Sequence, residues 1–240
     1  MIRVEGYHKT YGDVVAVQGL SFEAPPGSVV GLVGPNGAGK TTTLRALAGI
    51  IVPTQGRLMI SGADIQRDPV GAKQRLAYVP DDPKLFDALT VWEHLEFVAS
   101  VYDVPHFRES AEILLTEFQL TEKRDTLTRE LSRGMRQKVA ICCGYLHEPS
   151  VILFDEPLTG LDPHAIRVLN DSIQKRATAG ATVIVSSHLL LLVEDLCNLL
   201  VILDHGRCLF SGPLDKAKSH FAEHGEQASL EDVFFRATEQ

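Results

Sequence analysis

Gly34-Pro35-Asn36-Gly37-Ala38-Gly39-Lys40-Thr41 is the stretch on which the reading of this chain turns. It matches the pattern G-x-x-x-x-G-K-[ST] at every required position. The run before it, Val29-Val30-Gly31-Leu32-Val33, is short, continuous and apolar, as in a parallel strand buried on both faces. The residues after it, Thr41 to Ala48, read as a helix. A strand, a glycine-rich loop and a helix in this order make a phosphate cradle. The glycines let backbone N–H groups turn inward, and the helix N-terminus adds positive potential. Gly34, Pro35, Asn36, Gly37, Ala38, Gly39, Lys40, Thr41 and Thr42 are the candidate nucleotide-binding residues. Lys40 can reach the β- and γ-phosphates, and Thr41 offers a hydroxyl to Mg²⁺.

Downstream, Val151-Ile152-Leu153-Phe154-Asp155-Glu156 is an apolar strand ending in two carboxylates. Alone, such an ending also fits a helix cap. After a phosphate loop it reads as a metal and water site, with Asp155 holding Mg²⁺ and Glu156 polarising the attacking water. The rest of the chain frames these two segments. Ile2–Gly6, Val14–Phe22, Ser28–Val33, Arg57–Ile60 and Leu76–Val79 read as strands, with Pro25-Pro26-Gly27 as a turn. From Val91 to Leu146 apolar residues recur at three- and four-residue spacing, which predicts helices without an intervening strand. Val151–Phe154, Thr182–Ser186 and Leu199–Leu203 then alternate with helices over Pro163–Thr178 and Leu189–Leu196. The expected fold class is α/β: a parallel-sheet nucleotidase core with an N-terminal antiparallel β-subdomain and an inserted helical subdomain. One domain over 1–240 is expected, with core 1–82 and 148–240 and helices over about 83–147.

The 240 residues are 45% hydrophobic, enough for a sizeable core, and the formal net charge of −8 argues against broad nucleic-acid binding. Cys142, Cys143, Cys197 and Cys208 show no C-x-x-C spacing, so reduced, packed thiols are expected. Met1 to Gly6 carries no signal-peptide run. The apolar segment Leu189–Leu203 is too short to span a bilayer and is interrupted by Glu194, Asp195 and Asn198.

Four further stretches resemble the ABC ATPase family, and they spread over most of the chain. Leu131-Ser132-Arg133-Gly134-Met135-Arg136-Gln137 is similar to that family's signature, usually L-S-G-G-Q. Arg133 stands where glycine is usual, and Met135 where glutamine is usual. Thr159-Gly160-Leu161-Asp162-Pro163 resembles the D-loop, and Ser186-Ser187-His188 resembles the H-switch. Ala77-Tyr78-Val79-Pro80-Asp81 lies where the family carries its Q-loop, with Asp81 in place of glutamine; Asp81-Asp82-Pro83 also reads as a plain polar turn. Tyr11 resembles the adenine-stacking aromatic, with Tyr7 as its competitor.

The resemblance implies an ATP-hydrolysing, Mg²⁺-dependent subunit that works as an ATP-sandwich dimer. Tyr11, Lys40, Thr41, Asp155, Glu156, Asp81 and His188 would come from one copy. Leu131, Ser132, Arg133, Gly134, Met135 and Asp162 would face the nucleotide of the other. It further implies a separate transmembrane permease subunit and a peripheral place on the cytoplasmic face of the membrane. The ending Ser229-Leu230-Glu231-Asp232-Val233-Phe234-Phe235 resembles exporters. The alternative is a soluble ABC ATPase acting on ribosomes or DNA.

Overall fold

The chain opens with a hairpin, β1 (Ile2–Tyr11) and β2 (Val14–Ala24), followed by β3 (Val29–Val33) and α1 (Lys40–Leu47). The computed structural model describes residues 1–187, 190–221 and 229–238. Next come β4 (Gln55–Ile60), β5 (Ala63–Asp64), α2 (Pro69–Lys73) and β6 (Leu76–Val79). Three helices follow without a strand between them: α3 (Val91–Tyr102), α4 (Phe107–Glu117) and α5 (Arg133–Tyr145). The last third is β7 (Val151–Asp155), α6 (Pro163–Thr178), β8 (Thr182–Ser186), α7 (Leu190–Leu196), β9 (Leu199–Asp204), β10 (Arg207–Pro213), α8 (Leu214–Phe221) and α9 (Leu230–Thr238).

The strands form two sheets. One is antiparallel, in the order β2-β1-β4-β5. The other runs β10-β9-β3-β8-β7-β6, with β9 through β6 parallel and β10 antiparallel on the edge. β3 is buried at all of its positions, and its side chains alternate between two apolar clusters. Val29 and Val33 join the cluster that holds α3, α4 and α5, while Val30 and Leu32 join the one under the antiparallel sheet. β7 does the same, with Ile152 and Phe154 on the first side and Val151 and Leu153 on the second. Each such side chain contributes about 1.5–3 kcal/mol by leaving water. The sheet is fixed from both faces, and so are the loops at its strand ends.

Helix starts follow their caps. Thr90 Oγ1 accepts from the Glu93 N–H at 3.2 Å, and the Glu93 carboxylate accepts from the Thr90 N–H at 2.7 Å, a reciprocal capping box ahead of α3. Ser132 caps α5. Asp162 caps α6, with Pro163 pre-set in its first turn.

The fold class expected from the sequence is the one observed. Some strand limits differ. β1 continues past Gly6 to Tyr11 because irregularities in its pairing with β2 let the strand bend and go on. β10 was not anticipated: it alternates exposed and half-buried positions and ends in Gly212-Pro213, tolerable only on a sheet edge. The cysteines are free thiols, with Cys142 and Cys197 buried. Among the described residues no helix is long and apolar enough to cross a membrane.

Candidate active site

The loop 34–39 joins β3 to α1 and turns through two left-handed glycines, Gly37 at φ 83° and Gly39 at φ 102°. A Cβ on Gly39 would lie 2.7 Å from the Ala16 carbonyl oxygen of β2, so this position takes glycine on both conformational and steric grounds. Pro35, Asn36 and Gly37 are exposed at the loop's crest, whereas Ala38 is buried. The Gly206 N–H donates to the Ala38 carbonyl at 3.2 Å, and the Gln18 N–H donates to the Gly206 carbonyl at 2.7 Å. The β9–β10 turn thereby props the loop from behind, a support that the sequence motif does not announce.

Lys40 is 7% exposed. Its Nζ donates to the Gly34 carbonyl at 2.6 Å and to the Pro35 carbonyl at 3.1 Å, so the ammonium lies inside the loop that it serves. Burial holds its pKa below the ordinary lysine value, and the carboxylates of Glu156 and Asp155 oppose that shift. Thr42 sits at the half-buried start of α1, and its carbonyl accepts from the Tyr7 hydroxyl at 3.4 Å.

Asp155, at the end of β7, is 3% exposed. Among the described residues three hydroxyls converge on it. Thr41 Oγ1 donates to Oδ1 at 3.0 Å, Ser186 Oγ donates to Oδ1 at 2.8 Å, and the Tyr78 hydroxyl donates to Oδ2 at 3.2 Å. The first of these bonds brings the two sequence motifs together. The other two were missed by sequence reasoning. Ser186 lies opposite Asp155 in the β7–β8 register, and Tyr78 belongs to the strand on the other side. A polar side chain near the end of a strand otherwise buried was their signal. Burial and the neighbouring Asp155 charge push the Tyr78 hydroxyl up to about 12.

Glu156 follows with φ 48°, a left-handed backbone that costs a non-glycine residue roughly 1–2 kcal/mol. Its N–H is held by both the carbonyl and the Oγ of Ser186, at 3.2 and 3.1 Å. Strain of this kind persists where surrounding bonds over-determine it and is typical of functional positions. A serine thus ties together Asp155 and Glu156.

The donor set suits Mg²⁺. A buried carboxylate and a threonine hydroxyl are hard oxygen ligands, and among the described residues no group of three or more His, Cys, Asp or Glu side chains gathers. Mg²⁺ takes one or two carboxylates and completes its shell with substrate phosphates and water.

The remaining expectations fall out differently. Tyr7 is fully buried and belongs to the core, leaving Tyr11, 47% exposed with the Lys9 ammonium 4.7 Å from its ring centre, as the aromatic available for stacking. Leu131 and Met135 pack in the core cluster of the helical insertion. Ser132 Oγ accepts from the Met135 N–H at 3.3 Å, and the Asp162 carboxylate accepts from the Ala165 N–H at 2.9 Å, so each caps its own helix. Gly134 presses on the 156–161 loop: a Cβ there would lie 2.5 Å from the Gly160 carbonyl oxygen. Asp81 is ion-paired to Arg133 at 2.9 Å. His188 lies outside the described residues.

Known proteins resemble this chain over most of its length. The ABC transporter family model matches residues 17–159. The chain is 34% identical over 226 residues to the ABC-type transporter ATP-binding protein EcsA of Bacillus subtilis (strain 168), covering 93% of this chain and 91% of the relative. It is 35% identical over 222 residues to the Nod factor export ATP-binding protein I of Ralstonia nicotianae, covering 92% of this chain and 69% of the relative. A solved ATP-binding subunit of an ABC transporter superposes with a TM-score of 0.94 at 33% identity, over 99% of both chains.

Proposed function

We propose a function from one premise, that this chain belongs to the ABC transporter family: it is the subunit that binds and hydrolyses ATP and so powers transport through a separate transmembrane permease subunit. The observation that carries the reading is the Thr41–Asp155 hydrogen bond. It joins the phosphate loop to the strand that presents Glu156, so phosphate binding and water activation share one wall.

The finer assignments follow. The loop amides of 34–39 and Lys40 hold the β- and γ-phosphates, and Tyr11 stacks on adenine. Thr41 and Asp155 would hold Mg²⁺, joined by Asp81 as a third oxygen donor once its pair with Arg133 opens; the ion would supply charge neutralisation at the transferring phosphoryl group. Glu156 takes the proton of the attacking water, and His188 donates a hydrogen bond to the γ-phosphate. Ser132, Arg133, Gly134 and Asp162 face the nucleotide of a second copy in an ATP-sandwich dimer, with Leu131 and Met135 anchoring that segment in the core. The chain acts as one cassette over 1–240, its helical part over about 83–147 lying between β6 and β7. Export is the direction, supported by the relative named for Nod factor export and by the Ser229–Phe235 ending. The chain then sits peripherally on the cytoplasmic face of the membrane. The relatives described above are named for transport, which leaves a soluble role on ribosomes or DNA without support.

Glu156→Gln tests the chemistry. It keeps the side-chain shape and removes the base, so turnover should fall at least about a hundredfold while ATP-dependent dimers accumulate. Turnover at the wild-type rate would overturn the general-base role. Purification from detergent-solubilised membranes should bring down a polytopic membrane protein in stoichiometric amount; ribosomes or DNA-repair factors instead would overturn the transporter reading.

A further inference from the structure

Two departures from the family's usual sequence meet in space. Arg133 Nη2 donates to Asp81 Oδ1 at 2.9 Å, with both side chains about half exposed. Arg133 is the first residue of the 13-residue α5, whose opening turn holds no acidic residue. A cation there meets the positive end of the helix dipole and calls for an anion from elsewhere. Arg136, one turn on, has the same need and meets it with Asp87 at 3.6 Å. Asp82 pairs with Lys84. Each of the three acids of the 81–87 loop is in contact with a different cation, and the one that touches Arg133 is Asp81, with Asp82 near enough to feel the same charge. The stem of Arg133 lies along Gly160, its Cδ 3.3 Å from that glycine's Cβ position, which fixes the guanidinium beside the loop that follows Glu156. Gln137, on the same face of α5, donates from Nε2 to the Pro80 carbonyl at 3.3 Å and keeps the two segments in register.

We propose that Asp81 is an internal stand-in for phosphate. It holds the Arg133 guanidinium within its own chain, and the γ-phosphate of ATP on a second copy takes that guanidinium over when the pair closes. The inference rests on the ATP-sandwich reading given above. Each closing event breaks two Asp81–Arg133 pairs and makes two Arg133–phosphate contacts. A triphosphate outcompetes a carboxylate because it carries more charge and offers more acceptor oxygens to the planar guanidinium fork. An empty cassette therefore keeps its arginine neutralised, and closure waits for the nucleotide.

The two residues of a competing pair have opposite effects on closure, whereas the two residues of a static brace have the same one. The test uses the full chain carrying Glu156→Gln, with ATP in the absence of Mg²⁺, and follows dimer formation by analytical ultracentrifugation. Added Asp81→Asn should lower the ATP concentration for half-dimerisation about fivefold, the size expected of two half-exposed ion pairs. Added Arg133→Gln should raise it by a similar factor, and the double variant should follow Arg133→Gln. Asp81→Glu, which keeps the charge, should stay near the parent. Shifts of Asp81→Asn and Arg133→Gln in the same direction, or no shift with Asp81→Asn, would overturn the proposal. If the Glu156→Gln parent forms no dimers with ATP, with or without Mg²⁺, the sandwich reading itself has failed. Circular dichroism on each variant separates misfolding from either result.

Discussion

At Asp155 a charge sits almost wholly out of water, which is tolerable only because three hydroxyls point at it. The three are not equivalent. Tyr78 bonds one Asp155 oxygen and the Arg45 side chain, whereas Ser186 bonds Asp155 and also receives the Glu156 N–H. Ser186→Ala should therefore lower stability by about 2 kcal/mol, the scale of a hydrogen bond to a charged group. It should also lower ATP turnover about tenfold by loosening the strained backbone of Glu156. Tyr78→Phe should cost stability by a similar amount but leave turnover within about threefold. Urea unfolding and steady-state hydrolysis measure both, and equal losses of turnover would refute the special place given to Ser186. The contrast also marks what single positions disclose. Lys40 with Thr41, and Asp155 with Glu156, were picked out as candidates because each pair stands in a short local pattern, and the structure brings Thr41 to Asp155. Tyr78 and Ser186 were not, because they reach Asp155 across strands and their roles depend on register. The pairing of Asp81 with Arg133 was likewise invisible, since two unusual residues 52 positions apart give no sign that they compensate each other.

Between residue and fold stands the segment from β6 to α3, which carries both Asp81 and the exposed Phe86. Its shape depends on His94, buried in the first turns of α3. The Phe86 N–H donates to His94 Nε2 at 2.9 Å, and His94 Nδ1 lies 3.0 Å from the Thr90 carbonyl. An acceptor at Nε2 and a donor at Nδ1 define a neutral imidazole. Burial holds its pKa below the ordinary 6.5, and the Thr90 carbonyl and Glu93 oppose the shift. His147 is also held low by burial, against the Leu76 carbonyl. For a depressed pKa the stabilisation is complete above 6.5 and is lost as pH falls through the folded-state value. The melting temperature should thus fall between about pH 7.5 and pH 5.5, and His94→Gln should flatten that part of the profile. The protection of the Phe86 amide, its hydrogen-exchange rate taken relative to an unstructured amide at the same pH, should fall over the same range; an unchanged protection would show that His94 does not hold this loop. Elements of this kind were partly readable. Helix α3 announced itself through apolar spacing, and α6 through the alternation of strands and helices in the last third. β10 was hidden because an edge strand that faces water on alternate residues lacks the apolar run that marks β3 and β7.

Across the whole molecule, one apolar cluster runs from α3, α4 and α5 through β7 to α6 and α9, so the helical insertion shares its core with the sheet. A push on the insertion is then felt at the strand ends where Asp155 and Glu156 sit. The outer face of the insertion offers a place for that push. Phe86 and Phe97 are 56% and 48% exposed, with their rings 5.5 Å apart edge to face, and Val101 on the same helix is 60% exposed. Exposed aromatic pairs are unusual on a surface that otherwise keeps a net charge of −8, and they match the anchors found at protein interfaces. Because Phe86 shares its loop with Asp81 and Asp87, a partner seated on it would bear on the Arg133 and Arg136 pairs directly. The permease subunit is the partner expected there. Phe86→Ser combined with Phe97→Ser should reduce its recovery with the tagged cassette about tenfold. Since both side chains already face water, the stability of the purified chain should change by no more than about 0.5 kcal/mol. Full recovery of the permease with this variant would move the docking face elsewhere, and with it the path by which closure of the nucleotide site reaches the membrane.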